Sequence, residues 1–170
     1  LVIIALTSAL GIAIKPIIVP LVHIVTGPLY IPGGAAAGGF YMLWIVLGLG
    51  ITKKKGTPTL IGLVQALLVI ISGVYGTHGA LSIVTYTIPG ILTDIAAILL
   101  GVNKYTSAGY FTMGLTANIT GTFLSSLVFF RLPLIPMLLV LCVAALSGGL
   151  GGLIAYKIVR QLEKTDIIKQ

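Results

Sequence analysis

Charged residues are nearly absent from the first part of the chain: Lys15 is the only one before the lysine cluster at residues 53–55. Across all 170 residues, 58% are hydrophobic and 8% are charged, and the mean hydropathy is +1.18. A soluble domain carries about 25% charged residues. This chain has too little polar surface to remain in water, so the composition indicates an integral membrane protein.

Long apolar runs separated by glycine, proline or lysine predict several membrane-spanning helices. One spanning helix needs about 20 apolar residues, so six of them nearly fill the chain and leave no room for a soluble catalytic domain. The first run lacks the basic region and cleavage site of a signal peptide, which favours a true span. We therefore predict an all-α integral membrane protein, a single domain over residues 1–170, with six transmembrane helices near 1–25, 38–51, 57–74, 79–101, 108–130 and 134–158.

The positive charges alternate between successive loops. Residues 53–55, Lys104 and the basic tail after 156 fall on one predicted side, and only Arg131 falls on the other. Because cytoplasmic loops of membrane proteins are enriched in lysine and arginine, this pattern predicts that both termini are cytoplasmic. Most of the net charge of +7 then lies on one side of the membrane. The positive charge therefore does not indicate nucleic-acid binding.

The predicted outer loop 26–37 precedes a predicted second span that is short and rich in glycine. The loop is apolar enough to fold back over the bundle. It is either a lid over an outward-facing cavity or an ordinary connection. Glycine-rich membrane helices pack closely against their neighbours, so the second helix is expected at the centre of the bundle.

Two ionisable residues, Lys15 and Asp94, are expected at membrane depth. Charges within a span usually mark a pathway, an ion pair or a ligand contact. Lys15 lies about 20 Å along the first helix, in the outer half, where an anionic group of a ligand would meet it. Asp94 either shares a functional helix face with Tyr86 or serves a structural role, by neutralising Lys15 or by capping or pairing at the cytoplasmic end, and the structural role is favoured.

Aromatic and amide side chains gather towards the predicted outer side and the bundle interior. They suit a pocket for a flat ligand, which needs stacking faces and a few hydrogen-bond partners. A membrane-interface belt and helix-to-helix hydrogen bonds are the ordinary alternatives. With Lys15, the candidate substrate-binding residues are His23, Tyr30, Tyr41, Trp44, Gln65, Tyr75, His78, Tyr86 and Asn118.

Signals for catalysis and for bound cofactors are missing from the sequence. No metalloprotease, serine-hydrolase or phosphate-loop motif is present, and the lone Cys142 excludes a disulfide framework. We predict a non-enzymatic protein without a cofactor or metal. Haem ligated by His23 and His78 is the alternative, because neutral imidazole binds haem iron.

Small residues recur at every fourth position of the first span, at Ala5, Ala9 and Ala13. Such a stripe lets another helix approach closely, either within the bundle or from a partner. The denser run of small residues at 147–152 is assigned to packing inside the bundle.

The chain resembles the substrate-binding S component of an energy-coupling factor (ECF) transporter. The features that carry this likeness are six short spans with both ends inside, the glycine-rich second helix and the alanine stripe. The likeness is nearest to the hydroxymethylpyrimidine/thiamine type, through residues 27–30, 40–45 and 89–94. It implies a multi-pass subunit of a prokaryotic cell membrane that captures a vitamin or vitamin precursor from outside. It also implies docking through Ala5, Ala9 and Ala13 on a transmembrane coupling subunit, with two ATP-binding cassette ATPases as further partners.

Lys15 departs from that likeness, because a lysine suits an acidic ligand better than cationic thiamine. A neutral pyrimidine, a carboxylated vitamin and haem remain open as cargo. A stand-alone secondary transporter and a purely structural subunit are the other classes that the sequence allows.

Overall fold

The computed structural model describes residues 1–29, 31–73 and 79–165. Within these residues the chain is helical, and the helices named below are joined by short connections. Two 3-10 helices cover Gly27–Leu29 and Gly101–Tyr105, and a π-helix covers Ser126–Phe130. The α-helices are α1 (Val2–Ala13), α2 (Lys15–Thr26), α3 (Gly33–Thr52), α4 (Thr57–Ser72), α5 (Ser82–Leu100), α6 (Ser107–Ser125) and α7 (Leu134–Lys164).

Helices α1 and α2 follow one another as a single span over Val2–Thr26. The break falls at Ile14 because Pro16, which has no N–H, stands in the first turn of α2. In the described part of the chain, five segments are long and apolar enough to cross a membrane, and α4 is a shorter apolar helix. The predicted all-α bundle of about six membrane helices is confirmed.

The predicted start of the second span at residue 38 is wrong, because α3 begins at Gly33. The prediction treated residues 32–34 as a turn on account of their proline and glycines. Pro32 instead precedes the first helical residue, and Gly33 allows contact with α2: a methyl group there would lie 2.8 Å from Cβ of His23. Residues 33–37 of the predicted loop are therefore helical, and its role as a lid over the cavity stays a prediction.

The last helix also differs from its prediction. We expected it to end near residue 158, but α7 continues to Lys164. The extra turns contain Arg160 and Glu163, which form an ion pair with N–O distance 3.3 Å. Glu163 also pairs with Lys53 at 3.1 Å. Charged side chains extend this helix beyond the apolar run, and hydropathy alone misses them.

Glycines bring the backbones of α3, α6 and α7 into direct contact. A methyl group at Gly151 would overlap the carbonyl of Gly39, and one at Gly114 would overlap the carbonyl of Gly148. Ser147 adds a hydrogen bond, since its hydroxyl accepts from the Gly39 N–H at 2.9 Å. The small residues at 147–152 thus pack within the bundle, as predicted.

Asp94 joins α5 to the start of α4. Its carboxylate accepts hydrogen bonds from the Gly56 N–H at 2.9 Å and from the Thr59 N–H at 3.0 Å. The Thr59 hydroxyl donates to the same group at 2.6 Å. These bonds satisfy donors that the first turn of a helix leaves unpaired, which supports the structural role favoured for Asp94.

Candidate functional site

A cavity of about 340 Å³ lies between α2, the first half of α3, the start of α5 and the end of α6. This volume is at the lower end of the roughly 300–1,000 Å³ that small-molecule sites occupy. The walls are mostly apolar with a few polar groups, as such sites require. The lining residues are Lys15, Val19, His23, Pro32, Gly33, Gly34, Ala35, Tyr41, Met42, Thr85, Tyr86, Gly121, Thr122, Ser125, Ser126 and Phe130.

Lys15 is the charged group of this cavity. It is 8% exposed, and its ammonium donates a hydrogen bond to the Tyr86 hydroxyl at 2.7 Å. The same nitrogen lies 4.2 Å from the ring centroid of Tyr41 and 4.0 Å from that of Tyr86. Cation–π attraction to two rings holds the ammonium in place, and the location of Lys15 at the first residue of α2 directs it into the bundle.

No described carboxylate neutralises Lys15. Asp94 is bonded to the start of α4, and Glu163 is paired with Lys53 and Arg160. Both carboxylates lie at the end of the bundle where α3 finishes, whereas the cavity lies where α3 begins. The 20 residues of α3 separate these ends by about 30 Å. The cavity is therefore positively charged.

The beginning of α3 adds to this positive potential. Gly33, Gly34 and Ala35 form part of the cavity wall, and the N-terminus of a helix carries a partial positive charge. The Tyr41 hydroxyl donates to the Gly34 carbonyl at 2.5 Å, which fixes the phenol beside Lys15. An anion in the cavity would meet both the ammonium and this helix end.

Four of the predicted binding residues share the cavity: Lys15, His23, Tyr41 and Tyr86. His23 lies at its exposed edge, one turn of α2 beyond Val19. Tyr30, Tyr75 and His78 lie outside the described residues, so the pairing of His23 with His78 around a haem stays a prediction.

Trp44, Gln65 and Asn118 do not line the cavity. The amide nitrogen of Gln65 and Cδ1 of Trp44 both face Gly11, one helical turn below Lys15 on α1. The Asn118 amide donates to the Ala35 carbonyl at 3.0 Å and to the Ala144 carbonyl at 2.8 Å. It therefore ties α6 to α3 and α7, which is the helix-to-helix alternative that the sequence had left open.

Sequence reasoning did not select several of the lining residues, among them Val19, Met42, Thr85, Ser126 and Phe130. Apolar lining residues look like lipid-facing residues in a sequence this hydrophobic. Val19 could have been found, because it lies midway in the i, i+4 series from Lys15 to His23 on one helix face. Ser126 and Phe130 could likewise have been found, because they continue the i, i+4 series from Thr122.

The alanine stripe lies on the outside of the described bundle. Ala5, Ala9 and Ala13 are exposed, whereas Thr7 and Gly11 on the opposite face of α1 are buried. The stripe therefore faces lipid or a partner and not the interior of this subunit.

Comparison with known proteins identifies the class. A family model described as the permease component of an ABC-type cobalt transport system matches residues 1–120. The chain belongs to this family. The permease is thus a membrane component of an ABC-type micronutrient transporter. It works with ATPase partners, and the permease itself is not an enzyme. No curated protein and no solved structure shows significant similarity to the chain.

Family membership refines the expectations from the sequence. It supports an ABC- or ECF-type transporter component in a multi-pass membrane setting, and it favours this class over the stand-alone secondary transporter. It does not support the hydroxymethylpyrimidine/thiamine type. The matched residues include α1 to α5 and the greater part of α6, so they contain Lys15, Tyr41 and Tyr86.

Proposed function

We propose that this permease is the substrate-binding subunit of an ATP-driven ECF-type importer and that it captures a small anionic micronutrient in the cavity around Lys15. The observation that carries the proposal is the buried ammonium, held by Tyr41 and Tyr86 without a neighbouring described carboxylate. A buried charge is costly unless it is paired. A ligand carboxylate or phosphate would supply the missing charge.

The shape of the cavity restricts the cargo further. Tyr41 and Tyr86 present aromatic faces beside Lys15, which suits a flat ring bearing an acid group. The volume of about 340 Å³ favours a compact ring over a tetrapyrrole such as haem. A cationic ligand such as thiamine would be repelled by the ammonium, so a carboxylated vitamin or vitamin precursor is the cargo that we favour.

Cobalt is the second candidate, because the matching family is described as a cobalt transport permease. A divalent transition metal is normally held by several imidazole, thiolate or carboxylate ligands. The described residues contain no group of three or more such side chains, and the charged residue of the cavity is a cation. These observations favour an organic anion over a free metal ion.

We also propose that Ala5, Ala9 and Ala13 dock on a transmembrane coupling subunit that carries two ATPases. All three side chains are exposed on one face of α1, where a second helix can approach its backbone closely. Reorientation of the whole subunit against that partner, driven by ATP hydrolysis elsewhere in the complex, would carry the ligand inward.

The test is purification of the permease from its native membrane in mild detergent, followed by mass spectrometry of the small molecules and proteins that remain bound. An acidic organic compound together with ATPase subunits is the expected result. Elemental analysis of the same sample for cobalt decides the alternative. Stoichiometric cobalt without an organic anion would overturn our assignment of the cargo, and absence of ATPase subunits would count against the importer.

A further inference from the structure

Several threonines of the membrane helices bond to their own backbone, whereas the buried hydroxyls of Thr26 and Thr87 have no partner among the described residues. Thr93 and three threonines of α6 donate their hydroxyls to the carbonyl four residues earlier, at 2.7–2.9 Å. This arrangement gives the hydroxyl a hydrogen-bond partner. Burying it in lipid without a partner would cost free energy. The three α6 residues are Thr112, Thr116 and Thr120.

Three hydroxyls at the end of the same helix behave differently. Thr122, Ser125 and Ser126 line the cavity, and in the described part of the chain none of their side chains makes a hydrogen bond. Thr122 is 8% exposed and Ser126 is 2% exposed, but neither hydroxyl is among the fully enclosed unpaired atoms of the described residues, so both are accessible from the cavity. Their hydroxyls are free to bond with a group inside the cavity.

Helical spacing explains why these side chains face one way: Thr122, Ser125 and Ser126 stand at positions i, i+3 and i+4 of one helix face, and a π-helix follows at Ser126–Phe130. The Arg131 N–H donates to the Ser126 carbonyl at 2.7 Å, the i to i+5 bond that defines a π turn. Phe130, four residues after Ser126, also lies in the cavity wall. π turns interrupt α-helices frequently at functional sites.

We infer that Thr122, Ser125 and Ser126 form a hydroxyl pole that binds a second, uncharged hydrogen-bonding group of the ligand. The inference rests on the proposed function and deepens it by naming the ligand class. Lys15 enters the cavity from α2 and the hydroxyl pole enters from α6, with α3 packed against both helices. The ligand is therefore a small ring acid that carries a hydroxyl, carbonyl or ring nitrogen away from its acid group.

Hydroxyl groups suit this task because each can donate one hydrogen bond and accept others. Three of them side by side adapt to either a donor or an acceptor on the ligand. They also discriminate: a neutral hydrogen bond contributes about 0.5–1.5 kcal/mol, which corresponds to roughly two- to twelvefold in affinity. The hydroxyl pole would thus discriminate between ligands of equal charge and similar size.

Three probes test the inference on the full-length protein in detergent: benzoate, meta-hydroxybenzoate and para-hydroxybenzoate, with binding measured by calorimetry. We expect at least one hydroxybenzoate to bind roughly two- to twelvefold more tightly than benzoate. In the combined variant Thr122→Val, Ser125→Ala, Ser126→Ala, this advantage should disappear, so that the three probes bind with equal affinity. The matched control Thr116→Val removes a self-bonded hydroxyl of the same helix and should keep the full advantage.

Equal binding of the three probes by the wild type would overturn the inference, as would an advantage that survives in the combined variant. Failure of every probe to bind would overturn it as well. The proposed function fails by different results: an unchanged affinity for benzoate in Lys15→Met, or purification without ATPase subunits. The two failures are therefore distinguishable.

A second measurement covers the case in which the combined variant does not fold. In a Cys142→Ala background, the thiol of Ser126→Cys should react with a water-soluble methanethiosulfonate that bears a sulfonate group. The thiol of Thr116→Cys should react more slowly, because Thr116 does not line the cavity. Equal reaction rates at the two positions would show that Ser126 does not face the cavity, and would overturn the inference.

Discussion

The ammonium of Lys15 and the hydroxyl of Tyr86 are 2.7 Å apart although 71 positions separate them in the sequence. This bond joins the first span to α5 inside the bundle and directs the positive charge of Lys15 towards the cavity. Because the described carboxylates are engaged elsewhere, the charge is available to a ligand. The remaining structure holds this pair in place and shapes the space around it.

Removing the charge of Lys15 should weaken anion binding selectively. In Lys15→Met we expect the affinity for a carboxylate probe such as benzoate to fall by at least about tenfold, since a hydrogen bond to a charged group contributes about 1.5–3 kcal/mol. The affinity for benzyl alcohol, which is neutral, should change little. Calorimetry with both probes on the purified variant measures the difference. Equal losses of affinity for the two probes would mean that Lys15 does not discriminate between anionic and neutral ligands.

A bulky side chain on the exposed stripe should block assembly and spare ligand binding. In Ala9→Phe, we expect the ATPase subunits to be lost from the detergent-purified complex because the ring prevents close helix approach. Ala108→Phe is the matched control, since Ala108 is exposed on a different helix, α6. Loss of ATPase subunits in both variants, or in neither, would contradict docking through this stripe.

Asp94 should contribute to stability but not to recognition. Asp94→Ala removes three hydrogen bonds that hold the start of α4, and helix-capping bonds of this kind contribute about 0.5–2 kcal/mol. We expect a lower unfolding temperature in detergent and unchanged affinity for a carboxylate probe. A large loss of affinity in a protein of unaltered unfolding temperature would instead give Asp94 a functional role.

The contact between α3 and α7 should not tolerate a single added methyl group. In Gly151→Ala, Cβ would overlap the Gly39 carbonyl, so the two backbones must move apart, and overpacking of this kind typically costs about 1–3 kcal/mol. Gly27→Ala is a suitable control, because its nearest neighbour would be 3.6 Å away. Unfolding temperatures of the two variants in the same detergent test this. Equal unfolding temperatures of the two variants would show that α3 and α7 are less closely packed than in this structure.

The sequence predicted the bundle because apolar length and charge placement are local properties. It also placed Lys15 at membrane depth, since a lone charge in an apolar run is visible without any structure. It did not predict the start of α3, because a glycine such as Gly33 usually indicates a turn. In the structure, Gly33 instead allows close packing beside His23. Nor did it separate Tyr41 from Trp44: both lie near one face of α3, but only Tyr41 reaches the cavity.

The hydroxyl pole could be predicted only in part: the spacing of Thr122, Ser125 and Ser126 places them on one helix face, but it does not show which hydroxyls remain unpaired. Thr116 and Thr122 are the same residue type on the same helix, yet one bonds to its own backbone and the other does not. Both residues lie within the regular α-helix α6, so local backbone geometry does not distinguish them. Only the assembled bundle contains this information.

The most direct test of the central claim is native mass spectrometry of the permease purified from its own membrane, with the wild type and Lys15→Met compared side by side. We expect the wild type to retain one small organic acid and the variant to have lost it while remaining folded and bound to its ATPase partners. Retention of the same molecule by both proteins, or a bound molecule that carries no acid group, would contradict the account.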